Sequence, residues 1–387
     1  MAPFFQAAAP SARPQIKITD IKTFLVGVGN RNLVFVKIET DQGIHGIGEA
    51  YSAGPDEATV ATIADYKRWL VGHDPRNIEH LWSMMYNFTR FPGGLVVNSA
   101  ISGIEHALWD IAGKAAGLPV YMLTGGKVRD RVRLYQSAGG NEPAQVGDNA
   151  KALVQKYGYT AVKMSPHPRA GQTLPYNQVT RSAGQRVRAV RDALGPDVDI
   201  GVDIHAKFFE VSRAARLARE IEPYNPMWLE EPIPAENVEA YKLITESTST
   251  PIAAGENHYL AHGFRRLLEI GGCDIVMPDL QKAGGLGEGQ RIANLANLYY
   301  TPFAPHMVAT FLGAMAACHV CASVPNFLIL EWQSYFHTDP MFKEIVKYDG
   351  EWVKNSFITL SEKPGIGVEI NEEGMKKYAI PGIPFFE

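Results

Sequence analysis

Three short apolar runs in this chain each end on an acidic residue, and a helix-like stretch separates each run from the next. They are GVDIH at 201–205, WLEEP at 228–232 and AAGEN at 253–257. A brief apolar run bounded in this way reads as a strand buried on both faces, as in a parallel sheet. Strands that alternate with helices at roughly 25 residues per unit build a (β/α)₈ barrel, whose C-terminal strand ends form a single rim. Asp203, Glu230 and Glu256 then stand on successive strands at the face where barrels carry their chemistry. Three carboxylates gathered there, with no matching cluster of Arg or Lys, repel one another unless a cation holds them. All-oxygen ligation suits Mg²⁺, with Mn²⁺ possible, better than zinc.

The same rhythm extends in both directions. From Val132 onward the strand candidates are RVRLYQSA, AVKMS, VDIGVDIH, PMWLEEP, PIAAGEN, IVMPD, TPFAPH and FLILEW. The later ones end on Asp203, Glu230, Glu256, Asp279, His306 and Glu331, and no sequence repeat accompanies the spacing, so it reflects architecture and not a solenoid. Upstream, IKITDIKTFLVGV and LVFVKIETDQGIHGIG are rich in Val, Ile and Phe and suggest an antiparallel meander turning at Asp41–Gly43. From about Asp56 the period becomes helical, through HALWDIAGK to Gly117. The chain therefore divides into an α+β capping domain over 15–130 and a TIM-type barrel over 131–334. Residues 335–387 are expected to leave the barrel and complete the capping domain, and 1–14 to be disordered. A length of 387 residues accommodates a barrel of about 250 plus such a second domain.

Composition narrows the partners. A net charge of −4 offers no basic stripe for nucleic acid, and no apolar run reaches the ~18 residues of a membrane span. The start, MAPFFQAAAPSARP, lacks the basic leader of a signal peptide, and Gln6 and Pro10 break its apolar core. Three cysteines in so long a chain supply no disulfide framework, which fits a reducing cytoplasm. Cys318 and Cys321 form a CxxC inside GAMAACHVCAS, where small apolar neighbours indicate a packed helix. Gly284, Gly285, Gly287 and Gly289 fail the nucleotide-loop spacing and read as a tight βα turn.

Taken in order, GIGEA, HALWDIAGK, DxH, EEP, GEN, PDxxKxGG, PH and ILEW resemble the enolase superfamily, within it the mandelate racemase and sugar-acid dehydratase branch. The resemblance spans nearly the whole chain. It implies Mg²⁺ bound by Asp203, Glu230 and Glu256, with Glu231 a non-ligand. It also implies a small-molecule carboxylic acid as substrate, since the family's reactions begin by removing a proton from the carbon next to a carboxylate. A homo-oligomer, often an octamer, is implied as well.

The remaining candidates follow from position and from the same resemblance. On adjacent strands the Asp279 carboxylate can accept a hydrogen bond from one His306 nitrogen and make the other a stronger base, matching the family's His-Asp dyad. His205 lies two residues after Asp203, so an extended strand would point both into the site. It matches the DxH of acid-sugar dehydratases such as galactonate dehydratase, where it would protonate a leaving hydroxyl. The alternative is a residue packed under the metal. Mandelate racemase carries KxK where this chain has Lys163, Met164 and Ser165, and the serine argues against a two-base racemase. Lys163 itself either contacts the substrate carboxylate or pairs with the metal carboxylates. Lys282 would order charge near Glu256 or Asp279; the alternative is the base that other branches of the family carry at this position. Glu331 would hydrogen bond a substrate carboxylate oxygen, or else form a buried ion pair. His258, two beyond Glu256, would face the same pocket. Asn30, Tyr51, Arg90 and Phe91 are candidates for substrate selection from the capping loops.

The expected reaction is dehydration of an aldonate such as galactonate or gluconate to a 2-keto-3-deoxy acid. Rivals are a sugar-lactone cycloisomerase or an acid-sugar epimerase, which share the proton abstraction, and a non-catalytic metal-binding or regulatory protein that kept the barrel.

Overall fold

The computed structural model describes residues 15–29, 31–51, 54–88, 93–168 and 173–383. The expectations for residues 1–14 and for Asn30, Arg90 and Phe91 lie outside the described residues.

The first domain is the meander plus a helical layer. Strands β1 (Ile18–Val28), β2 (Arg31–Thr40) and β3 (His45–Ala50) pair antiparallel in that order. Helices α1 (Asp56–Leu70), α2 (Ile78–Asn87) and α3 (Gly94–Ala116) follow. Helix α3 lies directly on β3, and two glycines make this approach possible. A Cβ on Gly46 or Gly48 would fall 2.0 Å from the Ala107 or Gly103 carbonyl oxygen. Gly117 ends α3 in a left-handed cap, its N–H donating to Gly113 and Lys114, and Pro119 follows before the short α4 (Val120–Leu123).

The second domain is a ring of parallel strands. Its ladders run through β4 (Arg131–Ser137), β5 (Ala161–Met164), β6 (Asp199–Asp203), β7 (Trp228–Glu230), β8 (Ile252–Ala254), β9 (Ile275–Val276) and β10 (Leu330–Trp332), with β10 pairing β4 to close the ring. The segment TPFAPH fills the place between β9 and β10 through isolated parallel bridges, Val276 with Phe303, Asp279 with His306 and Phe303 with Phe327. Pro302 and Pro305 have no N–H to give, which is why this eighth position is bridged and not a full ladder. Helices α5 (Pro143–Tyr157), α6 (Tyr176–Leu194), α7 (Val211–Ile221), α8 (Val238–Thr245), α9 (Leu260–Glu269), α10 (Leu286–Leu298) and α11 (Phe311–Ser323) connect the strands.

Inside the ring, Tyr135, Ala161, Trp228, Ala253, Ile275, Met277, Ala304 and Ile329 pack as a floor. Gly201 makes room for the largest of them, since a Cβ there would meet the Trp228 ring at 2.9 Å. Cys318 and Cys321 are buried free thiols in α11, whose residues Phe311–Ala322 are all buried. Gly284 and Gly285, at φ 109° and 101°, make the turn into α10.

After β10 come two single-turn helices, α12 (Tyr335–Thr338) and α13 (Met341–Glu344), then β11 (Val346–Lys347). Strand β12 (Phe357–Thr359) pairs antiparallel with β4, and β13 (Glu369–Ile370) pairs with β11. The tail then meets the first domain: Gly27 N–H donates to Tyr378 O at 2.9 Å and Lys37 pairs with Glu372 at 2.8 Å. Among the described residues no helix is long and apolar enough to cross a membrane.

Candidate active site

The registers bring the predicted residues to one rim. Asp203 pairs with Glu230 across β6 and β7, Ser137 with Lys163 across β4 and β5, and Asp279 with His306 in the bridged segment. Lys163 stands at the centre of the cluster, 5% exposed, with its Nζ 3.1 Å from Asp203, 3.1 Å from Glu230 and 2.9 Å from Glu331. Burial alone would lower the pKa of this ammonium, yet the facing Glu230 and Glu331 charges outweigh it and hold it well above the ordinary range. The ion-pair alternatives for Lys163 and for Glu331 thus coincide in one buried pair at 2.9 Å.

His306 is buried between two carboxylates. Its Nδ1 is 2.7 Å from Asp279 Oδ2, the distance of a charge-assisted hydrogen bond that fixes the tautomer, and its Nε2 is 3.0 Å from Glu256 Oε2. Burial pulls the imidazole pKa down, but Glu256, Glu331 and Asp279 more than compensate and raise it to about 9. Glu256 is in turn held below the usual carboxylate range, burial being outweighed by the charges of His306, Lys282 and Lys163. Lys282 is buried with its Nζ 4.1 Å from the centre of the Tyr51 ring, a cation–π contact that joins the first domain to the rim.

Two histidines are placed differently from the strand-based expectation. Strand β6 ends at Asp203, and His205 and Ala206 take left-handed backbone at φ 56° and 51°, so the alternation of a strand does not carry to His205. The ring nevertheless returns to the site, with Nε2 3.2 Å from Asp203 Oδ2, and it is 54% exposed toward the mouth. Residues after β8 also turn: His258 N–H donates to Gly255 O at 3.0 Å. Its ring packs on Phe264 with neither nitrogen hydrogen bonded among the described residues, and burial lowers its pKa to about 4. His258 therefore is not joined to the carboxylates of the rim.

The metal expectation needs the same scrutiny. Asp203 and Glu230 meet at Lys163 while Glu256 leans to His306, and among the described residues no three His, Cys, Asp or Glu side chains form a ready-made cage. The donor set still fits a hard divalent cation. Asp203 Oδ2 is buried with no hydrogen-bond partner among the described residues. Five buried or nearly buried carboxylates, Asp203, Glu230, Glu256, Asp279 and Glu331, meet Lys163, Lys282, His306 and His205 among the described residues, so one negative charge remains uncompensated even with both imidazoles protonated. Glu230 registers the excess: burial and then the Asp203 charge push its carboxyl well above the usual range. Glu231 does not belong to this set. It accepts from Gly255 N–H at 2.8 Å, Asn257 Nδ2 at 3.2 Å and Tyr241 OH at 3.2 Å, which holds the turn that carries Glu256.

Comparison with known proteins identifies the family to which this fold belongs. The model of the mandelate racemase / muconate lactonizing enzyme N-terminal domain matches residues 9–125, and that of the enolase C-terminal domain-like family matches 145–374. The chain belongs to the enolase superfamily. Among its enolase-superfamily relatives, a D-xylonate dehydratase from Haloferax volcanii is 38% identical over 96% of this chain and 91% of the relative. A D-galactonate dehydratase from Variovorax paradoxus is 39% identical over 92% and 93%. A solved mandelate racemase/muconate lactonizing enzyme-like protein from Rubrobacter xylanophilus superposes with a TM-score of 0.88 at 37% identity, covering 97% of this chain and all of that one. A putative galactarate dehydratase from Agrobacterium radiobacter, bound to sodium and L-malate, gives 0.87 at 32% over 94% and 95%.

The enolase-superfamily rim also contains groups that sequence reasoning does not single out. Trp228 Nε1 donates to Glu230 Oε2 at 3.1 Å from the floor of the barrel. His167, three residues past β5, packs edge-on to Phe208 with Nε2 buried and without a hydrogen-bond partner among the described residues, and burial lowers its pKa to about 4. It sits in the irregular stretch SPHPR, where no period or spacing marks it.

Proposed function

We propose that this protein is a Mg²⁺-dependent hydro-lyase that dehydrates a sugar acid, with an aldonate such as galactonate or xylonate as substrate and a 2-keto-3-deoxy acid as product. The observation that carries the reading is the pairing of His306 with Asp279 at 2.7 Å beside a carboxylate cluster, with His205 poised on the other side of Asp203. Asp279 fixes the His306 tautomer, so Nε2 is the nitrogen that takes the α-proton. The electron pair of that C–H bond then expels the β-hydroxyl, which leaves as water with a proton from His205, and the enol that remains tautomerises to the ketone. Lys163 and Glu331 lie where a substrate carboxylate would be oriented. A divalent cation held by Asp203, Glu230 and Glu256 would supply positive charge for the enolised acid and take over the Glu256 charge from the imidazole. The sugar-acid relatives support the substrate class. Three buried free thiols suit a cytoplasmic enzyme.

The test is turnover and α-proton exchange in D₂O with Mg²⁺ and a panel of aldonic and aldaric acids. His306→Asn should lower both by about 10²- to 10⁴-fold, the usual weight of a general base. His205→Asn should lose dehydration while still labelling the α-carbon. A His306→Asn variant with full turnover ends the assignment, and a product isobaric with substrate moves it to an epimerase or cycloisomerase.

A further inference from the structure

The two loops that carry the His-Asp pair are held from outside the barrel. Between β9 and α10, Leu280 O accepts from His106 Nε2 at 3.1 Å, Gln281 O from Tyr51 N–H at 3.1 Å and Gly284 O from Trp82 Nε1 at 2.8 Å. Gly284 N–H donates to Ser102 Oγ at 3.0 Å. The first N–H groups of α10, at Leu286 and Gly287, both donate to Glu105 at 2.8 Å. In the loop after His306, Val308 O accepts from Arg31 at 3.2 Å. Glu49 accepts from Thr310 N–H at 2.8 Å, Thr310 Oγ1 at 2.6 Å and Gly313 N–H at 3.0 Å, where α11 begins. These outer partners belong to the first domain, while the barrel side adds Leu260 N–H to Ala283 O at 3.0 Å, Gln333 Nε2 to Met307 O at 2.5 Å and Tyr335 OH to Ala309 O at 2.8 Å.

Glu49 and Glu105 do the heaviest part of this. Both are buried, and each satisfies helix N-terminal donors that have no partner within their own helix. The approach is built on glycine: a Cβ on Gly285 would lie 2.3 Å from Glu105 Oε2, and one on Gly313 would lie 3.0 Å from Glu49 Oε2. Gln281 Nε2 donates to Gly313 O at 3.2 Å and ties the two loops together, two residues from Asp279.

We propose that Glu49 and Glu105 are positioning residues through which the capping domain sets the His306–Asp279 geometry, so that removal of the base's proton-transfer alignment, and not of substrate or metal binding, is the consequence of losing either carboxylate. The inference rests on the assignment of that pair as the proton-removing group. A helix start that slides by a fraction of an ångström moves His306 with it, because only Met307–Ala309 separate the base from Thr310. A displacement of 1 Å at a reacting group costs on the order of 10²-fold in rate.

The experiment uses the full-length, Mg²⁺-loaded protein and the variants Glu49→Gln, Glu105→Gln, Thr310→Val and Thr310→Ser. A glutamine keeps the shape but turns an NH₂ group toward N–H donors. Expected is a kcat about 10- to 100-fold lower for both glutamine variants. KM and the Mg²⁺ affinity measured by calorimetry should be unchanged. Thr310→Val should reproduce the Glu49→Gln effect without adding to it in the double variant, and Thr310→Ser, which keeps the hydroxyl, should restore the rate. If Glu49→Gln does not fold, Thr310→Val carries the same test. An unchanged kcat, or KM and Mg²⁺ affinity deteriorating in parallel with it, overturns the proposal. If the wild type acts on no sugar acid, the reaction assignment has failed, and the clamp is then judged by hydrogen–deuterium exchange. Faster exchange over 306–313 in Glu49→Gln, with the segments around Asp203 and Glu230 unchanged, supports it. Equal exchange overturns it.

Discussion

The rim of the barrel divides into two arcs held by different parts of the chain. The arc of Asp203, Glu230 and Glu256 is braced by the barrel: Glu231 holds the Glu256 turn, Ala206 N–H donates to Glu231 O at 2.8 Å, Trp228 reaches up to Glu230, and Lys163 joins Asp203 to Glu230. The arc of Asp279 and His306 leans on the first domain through Glu49, Tyr51, His106 and Glu105. Neighbouring strands thus carry the proposed cation ligands, braced within one domain, and the proposed base, held from two. The difference separates the residues proposed to bind the cation from those proposed to move the proton.

The sharpest way to break this division is to remove the barrel's own cation. Lys163→Met leaves three carboxylates facing one another in the interior, and losing one partner of a buried ion pair costs about 3–5 kcal/mol. Thermal unfolding in EDTA should show that loss, and Mg²⁺ should raise the melting temperature of the variant more than that of the wild type, because the cation then relieves charge that the lysine no longer carries. Equal Mg²⁺ shifts in the two proteins would mean that these carboxylates do not share one cation. A smaller effect is expected at Glu231. Glu231→Gln weakens the turn under Glu256, and groups that orient a metal ligand are worth about 10- to 100-fold in affinity. Calorimetry with Mg²⁺ should show that drop, with turnover recovering as Mg²⁺ is raised to saturation. A loss of kcat that saturating Mg²⁺ does not repair would show that the two arcs are one unit.

How much of this the sequence discloses follows the same line. Each carboxylate of the barrel-braced arc ends its own apolar run, so Asp203, Glu230 and Glu256 are visible as strand ends, and the step from Asp279 to His306 is visible as one β/α unit. Local backbone is less legible. The left-handed residues His205 and Ala206 and the turn at Gly255–His258 follow strands too short to impose alternation on what comes next, which is why His205 returns to the site by a turn and His258 does not. The supports of the other arc are invisible to any local pattern. Glu49 and Thr310 are 261 residues apart, and nothing local in GIGEA marks its glutamate as the partner of the start of α11. His167 is hidden for a related reason, since its surroundings, Phe208 and Lys207, come from the next β/α unit.

The grip of the C-terminal tail on the first domain tests whether the second arc depends on the two carboxylates or simply on a seated capping domain. Glu369, on β13, pairs with His45 at 3.0 Å and with Lys114 at 2.5 Å, and Lys114 continues to the buried Asp110 at 2.7 Å. Burial pushes the Glu369 carboxyl up, but the His45 hydrogen bond and the Lys114 charge outweigh it and lower the pKa to about 2 from 4.5. Between those values the folded protein binds fewer protons at this group than the unfolded chain, so stability from Glu369 is complete above pH 4.5 and is lost as pH falls toward 2. Because its side chain is 41% exposed, solvent screens the pair and the contribution is below about 1 kcal/mol. Denaturation of Glu369→Gln should therefore show a small deficit against wild type at pH 7 that narrows steadily below pH 4.5, with kcat unaltered at pH 7. Were kcat to fall as far as in Glu49→Gln, the seating of the whole capping domain would govern the base, and the particular grip of Glu49 on Thr310 and Gly313 would not.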